Sequence, residues 1–355
     1  MSRFFSKSHS SLVPYTPGEQ PRDMQYIKLN TNESPFPPSP SVRQAVAKEA
    51  EKLMLYCDPD CKELTQKISN LYGISVDEVV VTNGSDEILD FAFKAFCDKD
   101  NPIVFADITY GFYSVFAQKN AIPYEIKPIK DDFSIDINDY MGIGKNIVIA
   151  NPNAPTGIYI PLSDIEKIVK SNPDNIVIID EAYIDFGGES AYPLIKKYDN
   201  LIVTQTFSKS RSMAGARLGI GIASKEIIKD INTIRYSTNP YNVNRMTQSA
   251  GVSAINDNDY YMDNCKKIIE NREYTKKALE KLGFFVTDSK TNFLFAKSDK
   301  ISGKDLYLSL KENGILIRHF EKDRISDYNR ITIGTMEQMK TFISATEKIL
   351  KEKIK

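Results

Sequence analysis

Short runs of β-branched and other apolar residues alternate with helical patterns between about residues 75 and 225, and this alternation constrains the fold most. The runs contain little polar alternation, which is typical of strands that are covered on both faces. Strands of this kind, separated by helices, belong to a mostly parallel sheet between helical layers. The pattern therefore predicts the α/β class, with strands at Val79–Thr82, Ile103–Ala106, Ile147–Ala150, Ile176–Ile179, Leu201–Thr204 and Gly219–Ile222.

Polar residues stand at the carboxyl ends of several of these predicted strands. In open sheets of this class, ligands bind beyond the carboxyl ends of the strands. We therefore expect a binding site to which four segments contribute, namely Asn83–Asp86, Asn151–Asn153, Asp180–Tyr183 and Thr206–Lys209.

Charge and composition argue against several classes of partner. The 355 residues include 46 basic and 47 acidic side chains, which gives a net charge of −1. No basic stretch is dense enough to follow a nucleic-acid backbone, and no segment approaches the apolar length of a membrane helix. The first residues also lack the apolar region of a signal peptide. We expect a soluble, cytoplasmic protein without nucleic-acid or membrane partners.

Cysteine and histidine are too scarce to indicate a metal centre. The chain has four scattered cysteines and only two histidines, His9 and His319. Cys57 and Cys61 have a spacing that would suit a metal, but no second pair completes a site. We expect free thiols and no metal, and we expect lysine, tyrosine or carboxylate groups to act as acid and base.

The remainder of the chain predicts an arm, a connector and a small domain. Seven prolines within the first forty residues argue against a regular element there and indicate an arm that covers another part of the molecule. A helical pattern from about 244 to 282 ends at Gly283, a plausible C-cap, and leads into a small α+β domain. The elements predicted for that domain are strands at 292–296, 315–318 and 330–333 and helices near 303–313 and 336–352.

Lys209, which follows the predicted strand from Leu201, is the first candidate for chemistry. An amine at the end of a buried strand is desolvated and can form a Schiff base with a carbonyl cofactor, which points to pyridoxal phosphate. Asp180 ends the most apolar strand, where an unpaired carboxylate is costly, so it should face a cation such as a protonated pyridine nitrogen. Each feature has an ordinary alternative: a surface lysine in one case, and a structural salt bridge or a metal ligand in the other.

A polar turn after the first predicted strand opens an amphipathic helix, with Ser85 or Asp86 as its N-cap. The free amides and the positive dipole end of such a helix can bind a phosphate, although an ordinary capped helix would have the same sequence pattern. Arg217 would add bidentate contacts to the phosphate. Gly215 and Gly219 would let the backbone come close to it.

Three other side chains are candidates for contacts with the cofactor ring or the substrate. Tyr183 could reach a phenolate oxygen on the ring, and Tyr110 could lie over the ring face. Arg330 stands at a strand start in the small domain, where it could bind the anionic end of a substrate. An exposed arginine at a strand start remains an equal alternative.

Together these segments resemble the fold-type I pyridoxal-phosphate aminotransferases of class I and II, and most closely the histidinol-phosphate aminotransferases. The resemblance covers nearly the whole chain. It is carried by Val13–Gly18, Leu29–Glu33, Tyr56–Pro59, Asn83–Glu87, Asn151–Gly157, Asp180–Tyr183, Thr206–Lys209, Pro240–Asn244 and Arg330.

The resemblance implies a fold and a domain division. It implies a mostly parallel, seven-stranded sheet between helices in a large domain. The implied parts are an N-terminal arm at 1–40, a large cofactor-binding domain at 41–245, and a connector helix with a small C-terminal domain at 246–355.

The resemblance also implies roles for individual residues. Lys209 would form the Schiff base, Asp180 would keep the pyridine nitrogen protonated, and Tyr183 would bond the ring hydroxyl. Tyr110 would stack on the ring, and Tyr56 would reach the phosphate from a second subunit of a homodimer. The groups implied to hold the phosphate are Thr206, Ser208, Arg217 and the amides of Ser85 and Asp86. The residues that fall where the family binds its substrate are Tyr15, Asn32, Arg318 and Arg330.

One position departs from the family pattern. The family commonly has asparagine immediately before Pro-Thr-Gly, where it bonds the ring hydroxyl, and this chain has Ala154 there. Asn153 would take that role only with a small backbone shift. Because the bond tunes the ring and does not perform the chemistry, we expect activity to survive.

The implied reaction converts L-histidinol phosphate and 2-oxoglutarate to imidazole acetol phosphate and L-glutamate, a step of histidine biosynthesis. Two alternatives share much of the pattern: a threonine-phosphate decarboxylase, which needs no keto acid, and an aromatic amino-acid aminotransferase. A regulator built on the same fold would need an added DNA-binding module, for which the arm is too short and too rich in proline.

Overall fold

The computed structural model describes residues 2–353. Within that range the strands are, in chain order, β1 (Ile27–Lys28), β2 (Val79–Thr82), β3 (Ile103–Ala106), β4 (Tyr124–Lys127), β5 (Asn146–Ala150), β6 (Val177–Asp180), β7 (Leu201–Thr206), β8 (Gly219–Ala223), β9 (Phe284–Val286), β10 (Phe293–Ser298), β11 (Ile315–Leu316), β12 (Arg318–His319) and β13 (Asn329–Thr332). The α-helices are α1 (Pro40–Ala50), α2 (Lys62–Tyr72), α3 (Ser85–Phe96), α4 (Phe112–Lys119), α5 (Leu162–Ser171), α6 (Lys225–Thr238), α7 (Arg245–Asn256), α8 (Asn258–Lys281), α9 (Gly303–Glu312) and α10 (Met336–Lys353).

Seven strands form the main sheet, in the order β2-β8-β7-β6-β5-β3-β4. Only β8 is antiparallel to its neighbours, whereas the other adjacent pairs are parallel. Successive residues of β6 point to opposite faces, so Val177 and Ile179 join one hydrophobic cluster and Ile178 joins another. Burial of both faces explains the continuous apolar runs of the sequence, and the predicted α/β class is confirmed.

One strand of this sheet was not expected from the sequence. β4 lies at the edge of the sheet, and its residues alternate between polar and apolar types. About half of the Ile126 side chain is exposed. An edge strand needs less apolar character than a central one, so the search for apolar runs missed it.

A second, antiparallel sheet has the strand order β12-β13-β10-β9. Helices α8, α9 and α10 supply side chains to its hydrophobic cluster, among them Ile268, Leu306 and Phe342. The strand predicted at 315–318 is in fact two short strands that belong to different sheets. β11 pairs in parallel with β1, and β12 pairs with β13, because the chain turns from one partner to the other at Ile317.

The connector consists of two helices instead of the single one expected. The Asn244 side chain accepts a hydrogen bond from the Thr247 amide and caps α7, and the chain leaves helical geometry at Asp257 before α8 begins. α8 then runs from the cluster of the large sheet, at Tyr261, to the cluster of the small sheet. Gly283, with φ of +89°, follows the end of α8 as expected.

The arm is not wholly irregular. Between its proline-rich parts, β1 pairs with β11 in a separate two-stranded sheet, which ties the arm to the segment that precedes β12. The prediction that this region contains no regular element is therefore wrong for residues 27 and 28 and for a short 3-10 helix at Lys7–His9, because no proline interrupts the backbone hydrogen bonds in either place. No helix within residues 2–353 combines the length and the apolar character that a membrane crossing requires.

Candidate active site

A cavity of about 220 Å³ lies at the carboxyl ends of β5, β6 and β7, beside the first turn of α3. This is the position expected for an open parallel sheet. Its lining residues are Thr31, Glu33, Ser85, Asp86, Tyr110, Ala150, Pro152, Ala154, Asp180, Ala182, Tyr183, Thr206, Ser208, Lys209, Ala214 and Arg217.

Lys209 is half-buried in the wall of this cavity, three residues after the end of β7. Its Nζ donates a hydrogen bond to the Thr31 carbonyl at 3.3 Å and lies 5.8 Å from the centre of the Tyr183 ring. The lysine is therefore not an ordinary surface residue, because its amine faces a cavity and is held by a segment of the arm.

Asp180 ends β6, and its carboxylate is buried. It accepts hydrogen bonds from the hydroxyls of Tyr113, at 2.8 Å, and Thr204, at 3.1 Å. Burial raises the pKa of Asp180 to about 6, because a charged carboxylate is poorly solvated there. Both partners are neutral, and no basic side chain of residues 2–353 forms an ion pair with it. The structural salt bridge that the sequence left open is therefore absent from the described part of the chain.

The first turn of α3 differs from the prediction in its cap. Gly84, with φ of +80°, is the N-cap, and Ser85 and Asp86 are the first two residues of the helix. A side chain at Gly84 would lie 2.5 Å from Nη2 of Arg217, and one at Gly219 would lie 2.4 Å from the Ser85 amide nitrogen. The backbone and the guanidinium can approach each other this closely only because both positions are glycine.

Hydroxyls and a guanidinium surround the start of α3. The hydroxyls of Thr206 and Ser208 are 3.0 Å apart, and Nη1 of Arg217 donates to Ser208 at 3.4 Å. Nη2 of Arg217 pairs with Asp86 at 3.1 Å, and the Tyr110 hydroxyl donates to the same carboxylate at 2.7 Å. Together with the free amides of a helix start, these donors form a seat for an anion. A side chain at Gly215 would meet no atom of the described residues within 4 Å, so protein packing alone does not require glycine there.

Two residues with expected cofactor contacts do not line this cavity. Asn153 is buried, and its amide nitrogen donates to the Ile108 carbonyl and to Thr156, while its amide oxygen accepts from Thr109. Ala154 lines the cavity in its place. Tyr56 is 81% exposed and stacks on Tyr241, with 4.6 Å between the ring centres.

A second cavity, of about 480 Å³, adjoins the first and shares Thr31, Tyr110, Ala154, Tyr183 and Lys209 with it. Arg318 of β12 and Arg330 of β13 are directly opposite each other in the strand pair, and both line this cavity. Two cations at paired positions repel each other unless an anion lies between them. All four residues expected to bind substrate, Tyr15, Asn32, Arg318 and Arg330, line this cavity.

Arg330 has donors available for such an anion. Its Nη2 donates to the Asn30 carbonyl at 2.9 Å, whereas its buried Nε makes no hydrogen bond within the described residues. Burial lowers the pKa of Arg330, because the charged guanidinium is removed from water. The alternative of an exposed arginine is therefore wrong.

Two contacts link residues of the arm to residues around this second cavity. The Asn32 side chain donates to the Tyr183 hydroxyl at 2.9 Å, and Asn32 itself adopts φ of +58°. The ring of Tyr15 stacks on Phe112 with 4.5 Å between the ring centres. Residues of the arm therefore contact residues of the large sheet where the two cavities meet.

Sequence reasoning missed several residues that contribute to the site. Tyr113 and Thr204 bind Asp180, but nothing distinguished this tyrosine from the other eighteen of the chain. Glu33 lines the first cavity and pairs with Lys28 at 2.7 Å. Its position within a recognisable motif was the only available signal. Among the described residues no group of three histidine, cysteine or acidic side chains has the arrangement of a metal site.

Comparison with known proteins finds aminotransferases both by sequence and by structure. Residues 24–345 match the family described as aminotransferase class I and II. The histidinol-phosphate aminotransferase of Brachyspira hyodysenteriae is 51% identical over 353 residues, which is 99% of this chain and 100% of that protein. The crystal structure of the histidinol-phosphate aminotransferase from Clostridium acetobutylicum is similar with a TM-score of 0.83 and 26% identity, over 92% of this chain and 99% of that one. The Sinorhizobium meliloti enzyme of the same name, solved in complex with pyridoxal-5'-phosphate, shares the fold with a TM-score of 0.85 and 23% identity, over 92% of each chain.

Proposed function

The chain belongs to the class I and II aminotransferases, and we propose that it uses pyridoxal 5'-phosphate to transfer the amino group of L-histidinol phosphate to 2-oxoglutarate. The products would be imidazole acetol phosphate and L-glutamate, in histidine biosynthesis. Identity of 51% across the full length of a relative with that name supports the substrate. One observation carries the proposal: the Lys209 amine and the Asp180 carboxylate line the same cavity, and the adjoining cavity is lined by two opposed arginines.

The residues of the first cavity fit pyridoxal phosphate. Glycine at 84 and 219 lets Arg217 and β8 lie against the turn before Ser85, where any side chain would collide with them. This packing places a guanidinium and the amides of a helix start beside the cavity, which suits a phosphate. Asp180 is a buried carboxylate with only neutral partners, which suits a protonated ring nitrogen. The hydroxyls and guanidinium of Thr206, Ser208 and Arg217 supply further donors for the phosphate.

When bound, the cofactor would supply a carbonyl carbon that takes up the amino group and a protonated ring that accepts electron density from the reacting carbon. Asp180 would hold the proton at the ring nitrogen, and Tyr113 and Thr204 would fix the orientation of its carboxylate. The Lys209 amine would remove the proton from the substrate Cα, since its Nζ faces the junction of the two cavities.

Two tyrosines would position the cofactor ring. Tyr110 would lie over its face, and Tyr183 would bond the ring hydroxyl while Asn32 holds the tyrosine hydroxyl in place. Asn153 would bond the ring hydroxyl only after its amide releases one of the three groups that it binds.

The second cavity would bind the substrates. Arg318 and Arg330 would contact the phosphate of histidinol phosphate and, in the other half of the reaction, a carboxylate of 2-oxoglutarate. Tyr15 and Asn32 would complete the walls on the side of the arm. One anion site would thus serve both substrates in turn, because an aminotransferase binds them alternately.

The test is the absorption spectrum of the purified protein before and after addition of L-histidinol phosphate without any keto acid. Conversion of the band of the cofactor's aldehyde form to that of its amine form is the expected result. A spectrum that responds only to phenylalanine would assign an aromatic aminotransferase, and carbon dioxide release from threonine phosphate would assign a decarboxylase. Absence of any cofactor band would contradict the assignment of Lys209.

We also propose a cytoplasmic homodimer in which Tyr56 contacts the phosphate in the site of the second subunit. The exposure of Tyr56 within its own subunit supports this, as does the apolar run Leu53–Leu55 before it, which is also largely exposed. The division into an arm, a large domain from 41 to 245 and a small domain with its connector is part of the same proposal. Sedimentation at several concentrations tests the dimer. A chain that stays monomeric while active would contradict the contribution of Tyr56.

A further inference from the structure

The arm residue Glu19 is bound by two side chains of α9. Its carboxylate accepts a hydrogen bond from the Tyr307 hydroxyl and forms an ion pair with Lys311 at 2.5 Å. The Glu19 carboxylate also raises the pKa of Lys311 to about 12. Tyr307 in turn stacks on His319 of β12, with 5.8 Å between the ring centres. The arm is therefore attached at this point to the small domain.

A short chain of hydrogen bonds leads from Glu19 to the substrate cavity. The Asn30 side chain donates to the Glu19 carbonyl at 2.8 Å. The carbonyl of the same Asn30 accepts from Nη2 of Arg330 at 2.9 Å. One residue thus joins the anchored part of the arm to the arginine that would bind the anion.

The residues just before Glu19 form part of the cavity wall. Tyr15, Pro17 and Gly18 line the second cavity. The Arg318 guanidinium lies 3.5 Å from the carbonyls of Thr16 and Pro17 and donates to both. Each of the two opposed arginines therefore contacts the arm directly.

We propose that Glu19, Tyr307 and Lys311 form a clasp that sets the affinity of the second cavity for anionic substrates by holding the arm against Arg318. The three are positioning residues, since none of them lines either cavity. This inference rests on the proposed function. The side chains of Glu19 and Lys311 are 34% and 30% exposed, and an isolated pair of that kind changes an equilibrium by less than about fivefold. The added bond from Tyr307 makes the expected effect about three- to tenfold.

The kinetic test uses Glu19→Gln and Lys311→Met in the cofactor-loaded enzyme. Each is expected to raise the KM for L-histidinol phosphate and for 2-oxoglutarate by about three- to tenfold, with kcat within about twofold of wild type. The double variant should be no worse than the poorer single one, because both changes remove the same interaction. The matched control is Lys351→Met, which breaks the exposed pair with Glu347 on α10 and should leave both constants unchanged.

Unchanged KM values in both single variants would overturn the clasp. An equal loss of kcat and of cofactor affinity would also overturn it, because the arm would then support the fold in general.

A second readout needs no turnover. Arg22 is exposed and lies three residues after Glu19, so the rate of trypsin cleavage there, followed by mass spectrometry, reports how firmly the arm is held. Cleavage should be at least about threefold faster in both variants than in wild type or Lys351→Met, and equal rates would overturn the clasp. If wild type fails to react with L-histidinol phosphate, the proposed function fails, while the cleavage rates still decide whether the clasp holds the arm.

Discussion

The two adjoining cavities are built in different ways. Most residues of the first cavity come from the ends of β5, β6 and β7, from the segments that directly follow these strands, and from the start of α3. Hydrogen bonds between the strands fix the points from which these segments leave the large sheet. Those of the second come mainly from the arm, from β12 and the segment between it and β13, from β13 itself, and from the stretch between the end of β3 and the start of α4. These segments are far apart in the chain and meet only when the arm lies against the small domain.

This difference separates chemistry from selectivity. A rigid frame suits the groups that move protons, since their effect depends on positions held to within a few tenths of an ångström. A cavity walled by the arm and two arginines suits recognition of two different anions, because a guanidinium binds a phosphate and a carboxylate through the same donors. Substitutions in the first cavity should therefore act mainly on kcat, and those in the second mainly on KM.

The largest expected effect belongs to Lys209→Ala. It removes the amine that would transfer the substrate proton, so turnover should fall by at least about a thousandfold, and the visible band of the bound cofactor should be lost. Steady-state assays and absorption spectra measure the two losses. Lys348→Ala on the exposed face of α10 is the control, and retention of most of the rate by Lys209→Ala would contradict its role.

Asp180→Asn should lower kcat by about a hundredfold or more, because the ring nitrogen would lose the charge that keeps it protonated. The KM for either substrate should change far less, since Asp180 does not line the second cavity. Turnover measured at saturating cofactor separates this effect from weak cofactor binding. Wild-type turnover in the variant would remove the role of Asp180 at the ring nitrogen.

Asp180→Asn also tests how the stability of the cofactor-free protein depends on pH. Burial raises the pKa of Asp180 from its ordinary value of 3.8 to about 6. The folded state therefore binds the proton of this carboxyl more tightly than the unfolded state does. Protonation of Asp180 contributes fully to the free energy of unfolding below about pH 4. This contribution, up to about 3 kcal/mol, is lost as the pH rises through 6. Wild type should therefore lose stability relative to Asp180→Asn between pH 4 and 7 in denaturant titrations. A constant difference in the free energy of unfolding between the two proteins across this range would show that burial does not raise the pKa of Asp180.

Arg330→Ala tests the second cavity. Loss of a buried, charge-assisted contact should raise the KM for both L-histidinol phosphate and 2-oxoglutarate by about ten- to a hundredfold, with a smaller change in kcat. Arg43→Ala, an exposed arginine on α1, is the control for general effects of charge. If only one substrate is affected, the two do not share the anion site.

The large sheet could be predicted from the sequence because its signal is local. Six of its seven strands contain a short apolar run, and the strands at Val79–Thr82 and Ile103–Ala106 have the predicted bounds. The small domain was less accessible, since the direction of β11 and β12 depends on which distant strands they meet. Three or four residues of sequence do not specify the partner strand, which is determined by contacts with distant parts of the chain.

The candidate site divides in the same way. Lys209 and Asp180 could be found because their types and their positions at strand ends are unusual. Tyr113 could not, because its role depends on the direction in which one helix presents a hydroxyl to a buried carboxylate. The predicted N-cap of α3 was wrong by one or two residues. Glycine is required at position 84 by its tight contact with Arg217, and a contact between residues so far apart in the chain cannot be read from the local sequence.

Ala154→Asn is expected to have the smallest effect, and it probes the boundary between the two cavities. Ala154 lines both cavities where the family commonly has asparagine, and the nearby Asn153 amide is already engaged. A new hydrogen bond to the ring hydroxyl contributes about 1 kcal/mol, so the position of the visible band and its pH dependence should shift, while kcat changes by less than about fivefold. Ala154→Ser, whose shorter side chain reaches less far, serves as the control. A large loss of turnover in Ala154→Asn would instead mean that the space at Ala154 is required by the substrate, and the two cavities would then not separate chemistry from recognition at this residue.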